Sequence, residues 1–253
     1  MSKSVKDLMK EKSSRQKSLQ FTEKAMPLFF LACAIISILT TFGIVFTLAK
    51  ETVTFFDEVP IREFLTGKEW YPFFKNDPSF GILPLLSGTF LIAGVAMLVA
   101  VPIGLSSAIY LSEYATERTR KIVKPILEVL AGVPTVVYGL FALTFVTPLL
   151  QTVIPNLPIF NALSPGIVVG IMIIPQITSL SEEAMGAVPN AMREGALALG
   201  ATRLEVALKV ILPGSLSGII SSVVLGISRA VGETMIVSTA AGSAPKFTLD
   251  VTE

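Results

Sequence analysis

The stretch "ISRAVGET" places two opposite charges, Arg229 and Glu233, in an otherwise apolar part of the chain. On a continuous helix, residues four apart share a face, so these side chains are expected to lie together. A lone charge at the centre of a bilayer costs at least about 2.5 kcal/mol. An arginine fork can bind the oxygens of an anion, and Glu233 would keep such a site from holding the anion too tightly. The alternative is a structural ion pair that locks two helices together.

Three hydroxyl side chains in other apolar stretches could extend the same path. Ser221 lies on the face that leads toward Arg229, and Thr135 and Tyr138 follow a glycine and a proline in the middle of the chain. Hydrogen bonds between packed helices are the alternative role for these groups. Helix packing also explains a stripe of small residues that permits close helix contact. These residues recur every four positions, at Gly214, Gly218, Ser222, Gly226 and Ala230.

A polar stretch precedes this apolar segment and has the features of two short helices joined by a turn. Gly200 follows a run of good helix formers and can take the left-handed conformation that ends a helix. Thr202 and Glu205 have the spacing of a capping box, in which side chain and backbone bond reciprocally at a helix start. The second helix leads into Leu212 and Pro213. A helix of this kind on a membrane surface is a rigid protrusion that a soluble partner could grip.

The composition requires a membrane. The 253 residues are 52% hydrophobic with a mean hydropathy of +0.71, and only 15% are charged, against about 25% in soluble domains. One soluble core could not bury so much apolar surface, so a polytopic membrane protein is predicted. The chain has one cysteine and no histidine, which argues against an internal disulfide and against a zinc or haem site.

Hydrophobic runs predict five spans. They cover residues 25–49, 82–110, 125–150, 166–180 and 210–241. Residues 1–24 carry seven basic side chains against three acidic ones, which predicts a cytoplasmic N-terminal arm. Residues 50–81, rich in aromatic side chains, are predicted to be an extracytoplasmic loop with short interfacial helices, and residues 242–253 an extracytoplasmic tail. The permease core would then be residues 82–241, with a cytoplasmic coupling loop at residues 182–209.

Glycine and proline mark where these spans should be irregular or close together. Pro102 is expected to kink or break the second span near its inner end, and Pro175 to interrupt the fourth. The cluster "AGVPTVVYGL" in the third span weakens the helical hydrogen-bond ladder. Gly166 and Gly170 have the spacing that lets a second helix approach closely.

The polar stretch resembles the EAA loop of the permeases of ABC importers. Glu194-Gly195-Ala196, then Gly200, and then Leu212-Pro213 match the family pattern without a gap, with Gly195 in place of its first alanine and Val210 in place of its isoleucine. "AGVPTVVYGLFAL", "SLSEEAMGAVP" and "GISRAVGETMIV" are similar to the phosphate-specific importer permeases, and closer to their C-type subunit than to the A-type partner. The resemblance extends over nearly the whole chain from the second span onward.

This resemblance implies an all-helical polytopic transmembrane bundle with the type I ABC importer permease (MetI-like) fold, in a bacterial or archaeal inner membrane. In the family, the EAA loop docks into a groove on an ATPase subunit. By this resemblance, the residues of this chain expected to couple to the ATPase are Arg193, Glu194, Gly195, Ala196, Leu199, Gly200, Leu212 and Pro213. The implied partners are a second permease, two ATPase subunits and an extracytoplasmic phosphate-binding protein. Family members have a sixth span, which is expected beyond the last residue here.

No catalytic residues are identified. The sequence has no G-x-x-x-x-G-K-[ST] phosphate loop, so ATP is expected on a partner chain and no cofactor on this one. The rival functions are a permease for another oxyanion such as sulfate or molybdate, a secondary transporter or channel that needs no ATPase, and a membrane sensor subunit that controls a signalling kinase.

Overall fold

The fold is described from a computed structural model. It describes residues 5–74, 78–242, 245, 247–248 and 250–252, and side chains only from residue 26 onward apart from Glu23. The basic side chains of the predicted arm, and part of the predicted tail at residues 242–253, therefore lie outside the described residues. The chain divides into two compact units, Met1–Ile61 and Arg62–Glu253.

The first unit is one long helix, α1, which spans Val5–Glu58. Its part from Met26 to Glu58 is long and apolar enough to cross a membrane. Threonine hydroxyls along it donate to carbonyls four residues earlier, as Thr40 does to Ile36 at 2.8 Å, so they remain satisfied in an apolar surrounding. The helix continues through the start of the predicted loop 50–81, because neither glycine nor proline occurs between Gly43 and Pro60.

The rest of the predicted loop contains one short helix, α2 (Ile61–Thr66), and a pair of two-residue strands. Strand β1 (Trp70–Tyr71) pairs antiparallel with β2 (Ser79–Phe80), and Trp70 lies opposite Phe80. The predicted loop therefore contains a short helix, as expected, but also the paired strands, which were not expected, and the interfacial position of α2 stays a prediction. Aromatic side chains favour a paired strand here, because cross-strand ring contacts such as Trp70–Phe80 stabilise it.

The remaining helices form the second unit. They are α3 (Leu83–Ile109), α4 (Glu117–Ala131), α5 (Thr135–Phe141), α6 (Thr147–Val153), α7 (Leu163–Gly186), α8 (Asn190–Ala198), α9 (Arg203–Val206), α10 (Leu212–Gly214), α11 (Leu216–Val231) and α12 (Met235–Ala240). Three five-residue π-helical segments continue α3, α5 and α9, namely π1 (Tyr110–Tyr114), π2 (Ala142–Val146) and π3 (Ala207–Ile211).

The core is built around α7, whose side chains Val168, Met172, Ile173 and Ile177 are fully buried. Close contact with α3 depends on Gly170, where an added Cβ would lie 2.8 Å from the carbonyl oxygen of Ala96. The predicted close approach at the Gly166–Gly170 spacing is therefore confirmed. Helix α11 also packs on α7, where the hydroxyls of Ser181 and Ser222 are 2.8 Å apart, and so the small-residue stripe is a packing face.

The predicted third span at residues 125–150 is divided in the structure. Charged and partly exposed α4 ends at Ala131, and the apolar segment long enough to cross a membrane is Thr135–Val153. The break falls in the predicted glycine and proline cluster, since Pro134 disfavours the helical conformation for the residue before it. A break at Pro102 and the expected interruption at Pro175 are wrong, because α3 and α7 each run through their proline, whereas a kink at Pro102 stays a prediction. Packed neighbouring helices tolerate the one lost hydrogen bond.

The predicted fifth span at residues 210–241 is bent and broken. Residues Arg203–Gly214 and Leu216–Val231 meet at an angle of 73°, and α11 ends before Gly232. Pro213 and Gly214 at the bend explain why the helix cannot continue straight. Within the described residues, four helices are long and apolar enough to cross a membrane, and a fifth crosses if the bent pair is counted as one span. The predicted membrane boundaries themselves stay predictions.

Candidate functional site

The coupling loop folds as a helix, a turn and a second helix. Helix α8 ends at Ala198, and Gly200 takes a positive φ of +86°. The N–H groups of Gly200 and Ala201 donate to the carbonyls of Leu197 and Ala196, at 2.9 and 3.1 Å. The prediction that Gly200 ends this helix in the left-handed conformation is confirmed, and a side chain at this position would be strained.

The second helix starts with the predicted capping box. The backbone N–H of Glu205 donates to the Thr202 hydroxyl at 3.3 Å, and the Thr202 N–H donates to the Glu205 carboxylate at 3.0 Å. Lys209 pairs with the same carboxylate at 3.2 Å. The Thr202 N–H bond, followed by the Lys209 contact, lowers the pKa of Glu205 to about 2. Glu205 and Lys209 precede the fifth span predicted at residues 210–241, so both are expected to lie outside the membrane.

The predicted docking residues are mostly on the surface. Leu199 is 91% exposed at the tip of the turn, and Glu194 and Gly195 are exposed on α8. Ala196 faces inward and packs against the cluster around Met185 and Val206, whereas Leu212 and Pro213 lie at the bend. This exposure leaves the apolar side chain of Leu199 available to a partner, and the docking role of these residues stays a prediction.

Arg193 differs from the rest of this set because it points into the protein. Its guanidinium lies 3.2 Å from the Glu113 carboxylate and donates to the carbonyls of Met185 and Val188, at 2.7 and 3.0 Å. It also donates to the Asn190 side chain at 2.8 Å. Arg193 therefore ties the start of α8 to the end of α7 and to π1, rather than forming the outer surface.

A second buried carboxylate, Glu182, lies near the same end of the bundle and was not predicted as a site residue. The sequence predicts that the chain leaves the membrane at residues 181–183, yet α7 continues and Glu182 is buried. It pairs with Lys124 at 2.6 Å and approaches Arg120 at 4.0 Å. The sequence did contain a signal for this contact, because an acidic residue directly follows the fourth predicted span and a basic loop connects the second and third spans.

The geometry expected for Arg229 and Glu233 is wrong. Helix α11 ends at Val231, so the two residues do not share one helix, and no ion pair joins them. Glu233 instead caps α12, since its carboxylate accepts the N–H groups of Met235 and Ile236 at 3.1 and 3.2 Å. Gly232 favours the break, and the capping bonds satisfy N–H groups that a helix start leaves free.

Arg229 is half-buried and bonds to a neutral partner. Its guanidinium donates to the Gln176 side-chain oxygen on α7 at 3.1 Å. As a polar group within the fourth predicted span, Gln176 could line a pathway or make a hydrogen bond between helices, and the structure shows such a bond from this one side-chain amide within α7. A neutral partner leaves the charge of Arg229 uncompensated by a carboxylate, which favours attraction of an anion.

Two of the hydroxyl residues predicted for the path, Thr135 and Tyr138, lie on α5, and the third, Ser221, lies on α11. The Tyr138 hydroxyl donates to the Leu130 carbonyl at 2.9 Å and its side chain is buried. The Ser221 hydroxyl donates to the Ser217 carbonyl at 2.9 Å, and Thr135 is the half-buried first residue of α5. No hydrogen bond joins any of these three to Arg229, so their role in a path stays a prediction.

Known proteins resemble this chain over most of its length. The family model of the binding-protein-dependent transport system inner membrane component matches residues 100–250. The probable ABC transporter permease protein YqgH of Bacillus subtilis is 36% identical, over 91% of this chain and 75% of its own length. The phosphate transport system permease protein PstC of Mesorhizobium japonicum is 34% identical, over 73% of this chain and 61% of its own length.

Among solved structures, an inward-facing conformation of the MetNI methionine ABC transporter aligns with a TM-score of 0.46 and 20% identity, over 60% of this chain and 68% of that chain. The chain spans about three fifths of the length of the PstC relative. The predicted resemblance to phosphate-importer permeases is confirmed by the curated relatives. The chain belongs to the binding-protein-dependent transport inner membrane component family, and it is a multi-pass, mostly helical membrane permease of the ABC importer type.

Proposed function

We propose that this chain is the transmembrane permease subunit of an ATP-driven importer of inorganic phosphate. The substrate is supported by relatives named as phosphate transport permeases. Coupling to ATP is supported by one observation above all, which is the protruding α8 with Leu199 91% exposed at its tip. ATP would be hydrolysed on two partner ATPase subunits, and this chain would bind no cofactor.

The proposed assembly also contains a second, similar permease and an extracytoplasmic phosphate-binding protein. The N-terminal arm would lie in the cytoplasm, on the same side as the coupling loop. Closure of the ATPase pair would push the segment from Arg193 to Lys209 and switch the spans from inward-open to outward-open. Phosphate would then pass at the interface of the two permeases.

Arg229 is the proposed contact for phosphate on this path. Its guanidinium is held on α7 by Gln176 at 3.1 Å, which orients the fork without neutralising it. Phosphate carries one to two negative charges near neutral pH and cannot cross hydrocarbon unaccompanied. Glu233, whose carboxylate is held by backbone N–H groups, would contribute a nearby negative charge, and Ser221, Thr135 and Tyr138 remain candidates for lining the route.

Uptake of radiolabelled phosphate by proteoliposomes containing the full assembly tests this proposal. Hydrogen bonds to charged groups contribute about 1.5–3 kcal/mol, so Arg229→Gln should reduce ATP-driven uptake by about tenfold to a hundredfold. Arg118→Gln, which alters an exposed arginine of α4, is the matched control and should transport normally. Both variants should insert into the membrane equally.

Three outcomes would contradict parts of the proposal. Uptake that continues without the ATPase subunits would indicate a secondary transporter or channel. Preferential uptake of sulfate or molybdate would assign another oxyanion. Normal phosphate uptake by Arg229→Gln would show that Arg229 is not on the phosphate path. If this variant loses uptake but the response of a signalling kinase is unchanged, the chain would have an additional role as a sensor subunit.

A further inference from the structure

Two arginines from different helices converge on π1, the segment that continues α3. Arg193 approaches from the start of α8, through its pair with Glu113. Arg120 approaches from α4 and donates to the carbonyls of Leu111 and Ser112, at 2.6 and 2.5 Å. The five residues of π1 therefore receive contacts from the coupling loop on one side and from α4 on the other.

The Arg193–Glu113 pair is largely enclosed. The two side chains are only 18% and 10% exposed, and the Glu113 carboxylate also accepts the Ser112 hydroxyl at 2.8 Å. Both Nη2 and Nε of Arg193 reach the same carboxylate oxygen, at 3.2 and 3.3 Å. Its remaining N–H groups bond to the end of α7 and to Asn190, so the guanidinium is fixed from several directions and transmits displacement rather than rotating freely.

The backbone that Glu113 belongs to is suited to a change of register. The N–H of Ala115 donates to the carbonyl of Tyr110, five residues earlier, at 2.9 Å. Such π turns are rare, are confined to single turns and often occur at functional sites. Exchange of this pattern for the regular α-helical one would give the turn a second arrangement, and an element with two arrangements is what transmission between distant sites requires.

We propose that Arg193 and Glu113 are a positioning pair that transmits displacement of α8 to α3. This inference rests on the proposed function, since it assumes that an ATPase moves α8. Leu199 would contact the ATPase on the outside of the coupling loop, and Arg193 would contact Glu113 on the inside. Loss of the pair would leave ATP hydrolysis and assembly in place but would weaken the link between hydrolysis and the movement of α3.

The test measures phosphate imported per ATP hydrolysed by the reconstituted full assembly. Glu113→Gln removes the charge with little change of shape, and Arg193→Lys keeps a positive charge but loses the forked contacts. Mutations that alter coupling between sites change it by about twofold to thirtyfold, so each variant should lower this ratio by at least about twofold. The double variant should be no worse than either single one, because both remove the same contact.

Glu117→Gln is the matched control, because Glu117 is an exposed carboxylate four residues away in the chain. It should import as much phosphate per ATP as the wild type. A normal ratio in Glu113→Gln would overturn the inference, and so would failure of both single variants to assemble, which would make the pair an element of folding. Absence of ATP-driven uptake by the wild type would instead contradict the proposed function.

Discussion

Replacement of Leu199 tests whether α8 is a docking surface. The side chain is 91% exposed, so nearly all of its apolar surface is available to a partner. Leu199→Ala removes three carbons, each worth about 0.8 kcal/mol when buried. The variant should therefore lose about 2 kcal/mol of binding free energy, which corresponds to roughly thirtyfold weaker binding of an ATPase subunit.

The assay is titration of the detergent-solubilised permease pair with the ATPase subunit, with the dissociation constant as the readout. Phe73→Ala is the matched control, because Phe73 is 95% exposed but lies in the segment predicted to be extracytoplasmic. Its affinity for the ATPase should equal that of the wild type. If Leu199→Ala binds the ATPase as tightly as the wild type, the tip of α8 is not buried in that interface and the reasoning from exposure is refuted.

Two further predictions concern stability. An added Cβ at Gly170 would meet the Ala96 carbonyl at 2.8 Å, so Gly170→Ala should destabilise the bundle by about 1–3 kcal/mol and lower its thermal unfolding temperature in detergent. Gly94→Ala, where nothing lies within 4 Å, should not lower it, and equal unfolding temperatures for both would contradict the packing argument. Thr202→Ala removes the cap of α9 and should cost about 1 kcal/mol, seen as faster hydrogen exchange at residues 203–206. Thr202→Ser keeps the hydroxyl and should exchange like the wild type, and unchanged exchange in Thr202→Ala would show that the cap contributes nothing.

Local chemistry explains which parts of the coupling loop could be predicted. Gly200 and the Thr202–Glu205 capping box act over a few neighbouring residues, and both form as expected. The close approach at Gly170 was also predictable, because small residues at this spacing are needed wherever helices come close. These features depend on short stretches of chain and so can be recognised without knowing the rest of the fold.

The partners of the charged residues could not be predicted in this way. Arg229 and Glu233 have the spacing of a helical pair, but a break after Val231 gives Glu233 to α12 and leaves Arg229 to Gln176, which is distant in the chain. Arg193 was predicted from the family resemblance to take part in coupling, and the structure pairs its side chain with Glu113, also far away in sequence. Neither residue carries a local signal of these contacts.

The sequence by itself determined that this is a multi-pass helical membrane protein with a polar helix–turn–helix segment before its last apolar stretch, because hydropathy, helix caps and turns depend on residue types and short spacings. The tertiary structure alone decided which helices are bent or broken, and which charges face one another across the bundle. The physical reason is that a charge buried in a membrane protein takes whichever polar group the packing of other helices brings near, and that packing involves residues from the whole chain.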